Sequence, residues 1–391
     1  MISTSKAISL IESNTHRLGS VTIPVNYSLG YVLTESPKSE INLPPFDQSA
    51  MDGYAVRFHE TDTFKVIGEI KAGDDASKIS LNKGEAVKIF TGGMCPLGCD
   101  AVCRIEDIDE NNDQITIRVL PKTGTNIRQM GEQIRKGDSF LPNGLILNPA
   151  AIGLLANTGV NEVNVVKKPV ISIISTGNEL VDSATAEKLQ PGKIFESNGI
   201  MLKTALEMYG HNSINKVHLE DQYELVLEGL KHQLSISDVL IISGGISVGD
   251  YDFVGEALLE IGVEQVFYKV NQKPGKPLFF GTKSNKLIFA LPGNPAAALT
   301  CFYIYVLPAL NKLMGKGFLE LDRISGKLSA AINKPNSREQ FLKVNYLNGG
   351  VEILDGQSSA MLRSYAETNA LVHLPENSTF DSEEEVTVIL L

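Results

Sequence analysis

The residues able to do chemistry gather where strand-like runs end. The clearest case is Val239 to Asp252, Val-Leu-Ile-Ile-Ser-Gly-Gly-Ile-Ser-Val-Gly-Asp-Tyr-Asp, where an apolar run meets glycines, serines and carboxylates. Val239 to Ile242 is apolar without alternation, which predicts a strand covered on both faces. In the loop after it, Gly244, Gly245 and Gly249 let backbone N–H groups approach an anion, Ser243 and Ser247 add hydroxyls, and Asp250 and Asp252 offer hard oxygen ligands. That mixture suits a phosphate held together with a divalent cation. The same residues also fit a sharp strand-to-helix turn whose aspartates cap a helix from Phe253 to Ile261.

Three more runs behave alike. Pro169 to Ser175 leads into Thr176-Gly-Asn-Glu-Leu180, Val263 to Val270 leads into Lys273-Pro-Gly-Lys-Pro277, and Lys286 to Leu291 leads into Pro292-Gly-Asn-Pro295. Amphipathic runs at Ser197 to Tyr209 and Gln222 to Ser235 lie between them, so strand and helix alternate and predict a doubly wound, mostly parallel sheet. Ligands of such sheets sit beyond the carboxyl ends of the strands. One crevice would therefore collect Glu179, Asp252, Lys273, Lys276 and Asn294.

The rest of the chain sets the context. Its 391 residues suggest two to four domains, and 43% hydrophobic with 21% charged residues is a globular composition. A net charge of −11 without a basic stripe argues against nucleic acid as the main partner. The most apolar window, Ala296 to Leu313, is interrupted by Thr300, Pro308 and Asn311, so no membrane span is expected. Met1 to Lys6 lacks the features of a signal peptide, and a cytoplasmic location follows as the default. Cys95, Cys99 and Cys103 have no zinc-ligand spacing, and free thiols are the expectation.

Thr4 to Asn14 predicts an opening helix, with a second helical turn near Leu29, Val32 and Leu33. Pro44 to Val56, with Asp52-Gly53 at a turn, reads as a proline-stiffened loop, a kind of stretch that often carries function in compact domains. Phe64 to Val119 is strand-like and turn-rich, and Thr91-Gly-Gly93 offers a hydroxyl and backbone N–H groups to an oxyanion or simply makes a turn. Leu141 to Gly159 reads as a return to helix. After Gly317, short runs at Lys327 to Ile332, Phe341 to Leu347, Val351 to Leu354, Ala370 to Leu374 and Glu385 to Leu391 suggest a small barrel or sandwich, with Asn348-Gly-Gly350 as a hairpin turn. Arg338, Ser358 and Ser359 are the residues there that could touch an anion.

Five blocks, Ser49-Ala-Met-Asp-Gly-Tyr-Ala55, Ser175 to Leu180, Ser243 to Asp252, Lys273 to Pro277 and Leu291 to Pro295, stand in an order and spacing that resembles the MoeA family, also present as the E domain of gephyrin. The resemblance spans essentially the whole chain. It implies a multidomain α/β protein: a split helix-rich domain (1–26 and 139–168), a β-rich insertion (27–138), an α/β molybdopterin-binding-like sheet domain (169–316) and a C-terminal β-barrel (317–391). It further implies a homodimer in which Asp52 and Thr91 of one subunit complete the crevice of the other. The implied activity loads molybdenum from molybdate onto adenylylated molybdopterin with Mg²⁺, releasing AMP. Transient partners would be the adenylyltransferase before it and molybdoenzymes after it.

The resemblance assigns the acidic active-site positions to Asp52, Glu179, Asp221 and Asp252, with Asp52, Glu179 and Asp252 placed at the metal. Lys273 and Lys276 fall on its lysine block. Thr91, Gly92, Ser175, Thr176, Ser243, Gly244, Gly245, Ser247, Gly249, Pro292 and Asn294 fall on its binding loops. Ser358 and Ser359, which follow Gly356-Gln357, and Arg363 depart from the family's usual last domain. Two alternatives belong beside this reading. A molybdopterin adenylyltransferase shares the Ser-Gly-Gly loop but is essentially the sheet domain alone, and a gephyrin-like scaffold would leave the carboxylate and lysine set unexplained.

Overall fold

The computed structural model describes residues 1–184, 188–245, 253–333 and 335–391. They form two compact units, Thr22–Val165 and a second made of Met1–Val21 with Val166–Leu391. The chain opens with helix α1 (Thr4–Asn14), capped by the Ser3 hydroxyl, which accepts from the Lys6 N–H at 3.2 Å. Its Ala7 and Ile11 are buried in the core of the second unit.

The unit Thr22–Val165 is built on six strands: β1 (Gly53–Val56), β2 (Thr63–Ile70), β3 (Glu85–Ile89), β4 (Ala101–Arg104), β5 (Ile108–Asn111) and β6 (Gln114–Ile117). Their order is β4-β1-β3-β2-β6-β5. Strand β1 corrects the sequence reading of Pro44 to Val56 as loop throughout. Its two partners hold it, and a Cβ at Gly53 would lie 1.8 Å from the Cys103 carbonyl oxygen, so only glycine lets the strands meet. Helix α2 (Pro149–Asn157) is shorter than the expected Leu141 to Gly159. Pro149 starts it, and Asn148 caps it by accepting from the Ala151 N–H at 2.9 Å. The helical turn expected near Leu29, Val32 and Leu33 does not form: a 3₁₀ turn precedes it at Val25–Tyr27, and Val32 and Leu33 make single β-bridges to Ile146 and Val165.

The second unit carries the predicted sheet. Its strands are β7 (Ile171–Thr176), β8 (Ile214–Leu219), β9 (Val239–Ser243), β10 (Glu264–Tyr268), β11 (Phe279–Lys283) and β12 (Lys286–Leu291), in the order β8-β7-β9-β12-β11-β10. The first four are parallel, while β11 and β10 add an antiparallel edge. Helices α3 (Asn198–Met208), α4 (Tyr223–Ile236), α5 (Phe253–Glu260) and α6 (Pro295–Leu313) accompany it. Alternation along each strand feeds two cores. Ile171, Ile173, Val239 and Ile241 pack with Leu202 and Leu206 of α3 and Phe302 and Leu310 of α6. Ile174, Leu240 and Ile242 pack with Leu230 of α4 and Leu258 of α5. Each such buried side chain contributes about 2 kcal/mol of transfer free energy, which is why these strands are rich in apolar residues on both faces.

Helix α6 is long and apolar enough to cross a membrane, and 89% of that window is buried inside the fold, as in a core helix. Beyond it, β13 (Arg323–Leu328), β14 (Glu339–Leu347), β15 (Gly350–Ile353), β16 (Ala370–Leu374) and β17 (Glu385–Leu390) close into a barrel, β14-β15-β13-β17-β16 and back to β14. The first barrel strand lies ahead of the expected Lys327 to Ile332, because its pairing with β17 covers Arg323–Lys327. Asn348-Gly349 makes the β14–β15 turn, both at positive φ (50° and 88°). The short strand Gln272–Lys273 runs parallel to the start of β14.

Candidate active site

The order β8-β7-β9-β12 reverses direction between β7 and β9, and a doubly wound sheet opens a crevice at that point. Register brings the strand ends level. Ser175 lies opposite both His218 and Ser243, and Ser243 opposite Leu291. A cleft of about 730 Å³ opens above them, walled by the loops that leave β7, β8, β9 and β12 and by the start of α3.

Its floor is backbone brought close by glycine. A Cβ on Gly244 (φ +98°) would lie 2.7 Å from the Thr176 carbonyl oxygen, and one on Gly245 (φ +65°) 2.8 Å from Thr176 Oγ1. Asn198, the first residue of α3, donates from Nδ2 to Ser243 Oγ and to the Gly293 carbonyl, both at 2.7 Å. One amide therefore ties the loops after β9 and β12 together. Among the described residues two polar atoms here are buried without a partner, Asn198 Oδ1 and Thr176 Oγ1, the latter on a residue only 4% exposed. A buried polar atom without a partner costs about 1–3 kcal/mol, so such atoms in a cleft wall mark where a ligand's hydrogen bonds belong.

Carboxylates stand at the rim. Glu179 is exposed, with its carboxylate folded over Gly177, where a Cβ would meet both oxygens at 2.8 Å. Asp221 and Asn178 hold one another: Asn178 N–H donates to Asp221 Oδ2 at 3.2 Å, and Asp221 N–H to Asn178 Oδ1 at 3.1 Å. Glu196, 8% exposed, accepts from the Gly199 N–H at 2.5 Å and pairs with Lys216 at 3.5 Å, which fixes the start of α3.

Of the residues expected here, Ser175, Thr176, Glu179, Asp221, Ser243, Gly244, Gly245, Pro292 and Asn294 all line the cleft. Lys273 and Lys276 are exposed; the cleft wall takes in Pro277, the next residue, rather than either lysine. Arg338 Nη1 donates to the Gln272 carbonyl at 3.3 Å, so a third cationic side chain lies beside the lysine loop. Ser247, Gly249 and Asp252 lie outside the described residues. Asn178, Glu196 and Asn198 were missed. Ser197-Asn198 carries a signal, but one that reads as a helix cap.

In the unit Thr22–Val165, Asp52 accepts from the Thr91 N–H at 2.8 Å and the Thr91 hydroxyl at 2.9 Å. Those two bonds hold its carboxyl below the ordinary value of 3.8. Gly92 (φ +81°) shapes the turn and donates its N–H to the Ser49 carbonyl at 2.8 Å. Among the described residues no group of three or more His, Cys, Asp or Glu side chains is placed to hold a metal, and the four cysteines are free thiols.

Comparison with known proteins agrees along the whole length. Residues 2–159 match the MoeA N-terminal region (domain I and II), residues 172–312 a probable molybdopterin binding domain, and residues 325–391 the MoeA C-terminal region (domain IV). A molybdopterin molybdenumtransferase of Staphylococcus epidermidis is 34% identical, over 100% of this chain and 95% of its own length. The chain belongs to the MoeA family. It is accordingly a transferase of molybdenum cofactor biosynthesis. A Staphylococcus aureus relative of the same name is 32% identical over the same shares. Among solved structures, a MoeA protein of Pyrococcus horikoshii aligns with a TM-score of 0.83 at 31% identity, covering 100% of this chain and 99% of the other. The multidomain α/β architecture of this MoeA-family chain, with its terminal barrel, is that of its relatives.

Proposed function

We propose that this MoeA-family enzyme takes molybdate and adenylylated molybdopterin into the cleft between β7 and β9, transfers molybdenum to the pterin dithiolene and releases AMP. The observation that carries this reading is the pair of buried, unpartnered atoms, Thr176 Oγ1 and Asn198 Oδ1, in a cleft at the sheet's reversal point. The two Nδ2 donations of Asn198 fix the orientation of its amide, and the remaining Oδ1, an acceptor, meets an N–H or O–H of the substrate. Backbone N–H groups around Gly244 and Gly245 hold the phosphates without titrating. Lys273 and Lys276, with Arg338 beside them, supply positive charge to the molybdate oxyanion.

Mg²⁺ fits this donor set. It keeps several waters and needs one or two carboxylates plus substrate oxygens, and Glu179 and Asp221 both line the cleft. Glu179, with Asp252, would hold it, and Asp221 keeps the Asn178 loop that carries Glu179 in place. When bound, the ion screens the pyrophosphate and polarises the phosphorus at which the phosphoanhydride breaks. We further assign the chain a homodimer of four-domain subunits, in which Asp52 and Thr91 of one copy complete the cleft of the other. The cytoplasm is the compartment that suits its four free thiols. The adenylyltransferase and molybdoenzymes are its transient neighbours in the pathway.

The test is direct. Purified protein, given metal-free adenylylated molybdopterin, Mg²⁺ and molybdate, releases AMP in a molybdate-dependent manner, followed by chromatography. Adenylylation of the pterin from ATP, or no AMP release at any molybdate concentration, overturns the reading. Sedimentation gives the dimer its own test.

A further inference from the structure

The C-terminal barrel buries a lysine. Lys343 lies on β14, only 3% exposed. Burying an ammonium costs several kcal/mol unless its donors are satisfied, and a methionine would fill the same space without that cost. Here the donors go to one short loop. Lys343 Nζ donates to the carbonyls of Gly356 at 2.6 Å, Met361 at 3.0 Å and Ser358 at 3.4 Å, and it lies 5.8 Å from the centre of the Tyr365 ring. No carboxylate takes part in these contacts.

The backbone of the same residue grips the loop a second time. Lys343 N–H donates to Gln357 Oε1 at 3.0 Å, and Gln357 Nε2 donates to the Lys343 carbonyl at 2.8 Å. Ser364 Oγ adds a bond to the Gly356 carbonyl at 2.8 Å. The segment held this way, 356–361, reaches the cleft. Ser359 Oγ accepts from Asn294 Nδ2 at 2.9 Å, the Ser359 carbonyl accepts from the Ala297 N–H at 3.2 Å, and Ala360 stands in the cleft wall with Pro277 and Asn294.

We propose that Lys343 is a positioning residue for the transfer reaction: its ammonium holds the 356–361 loop so that Ser359 and Ala360 form the wall of the cleft next to the lysine loop. The assignment rests on the function proposed above for that cleft. Since Pro277 lies in this wall, directly after the anion-binding Lys276, the substrate that depends on the loop is molybdate rather than the adenylyl group.

Three variants test it, with Lys343→Met as the main one. Lys343→Met raises the KM for molybdate about tenfold, leaves kcat and the affinity for AMP within about twofold, and increases amide hydrogen exchange in residues 356–361 while β14 stays protected. Lys343→Arg restores most of the KM, because a guanidinium also donates to several carbonyls. Ser359→Ala, which breaks the link to Asn294 without touching the buried lysine, moves KM in the same direction by a smaller factor. A Lys343→Met protein with parental KM, or with unchanged exchange in the loop, overturns the proposal. So does a fall in AMP affinity equal to the change in KM. The exchange measurement needs no turnover, so failure of the parental protein to release AMP overturns the functional reading alone and leaves the loop-holding role to be judged by exchange.

Discussion

The cleft at the end of the sheet and the Asp52 corner of the other unit handle polar groups in opposite ways. In the cleft, Thr176 Oγ1 and Asn198 Oδ1 are buried and left without partners among the described residues. At the corner, Asp52 is exposed and its Oδ1 accepts from both the N–H and the hydroxyl of Thr91. The first arrangement leaves hydrogen-bonding capacity for an incoming molecule. The second fixes the direction of a carboxylate and keeps it ionised. A site assembled from both would bind with one region and present charge with the other.

The largest expected effect comes from damaging each region in a separate copy. Asp52→Ala and Glu179→Ala each reduce AMP release by about 100-fold or more. In the proposed homodimer the two inactive proteins, mixed and re-equilibrated, recover about a quarter of the parental rate, because half the dimers are mixed and each of those keeps one intact site. No recovery on mixing, with exchange of subunits verified, removes the trans arrangement.

A smaller effect separates binding from stability. Thr176→Val replaces an unpartnered hydroxyl with a methyl group of the same shape, so the protein keeps or gains up to about 1 kcal/mol of stability while its affinity for AMP falls about tenfold. Calorimetry and a titration on the same sample check both. Loss of stability with unchanged affinity means the hydroxyl belongs to the core and not to a ligand.

The smallest effect lies at the corner. Thr91→Val removes one of the two bonds that lower the Asp52 carboxyl, so its pKa climbs back toward 3.8, as followed by NMR titration. The sign follows from the depressed value. The Thr91 bonds favour the folded state above pH 3.8, and that contribution disappears as pH falls through the lower folded-state pKa. A titration identical to the parental one means the backbone N–H alone sets the value.

Much of the site was legible in the sequence because strand ends in a doubly wound sheet are predictable places. The runs at Ile171–Thr176, Val239–Ser243 and Lys286–Leu291 are rich in apolar residues, and polar residues at and beyond their ends meet in one cleft. Asn198 was not legible. A Ser-Asn pair at the start of a helix is an ordinary sequence, and only the spatial approach of Ser243 and Gly293 turns Asn198 into a tie between loops. Gly53–Val56 failed for a related reason, since four residues after a turn have no period and become a strand only through their partners.

By itself, then, the sequence determined the alternation of elements, the chemistry of their connecting loops and the family to which the chain belongs. Apolar periodicity and turn composition act over a few residues, and a linear reading captures them. Tertiary structure decided which polar atoms stay unpaired, which glycines allow close approach, and that a lysine on a barrel strand holds a loop against the cleft of a sheet far away in the chain. Those outcomes depend on contacts between residues separated by tens to hundreds of positions, where burial sets the cost of every unmade hydrogen bond.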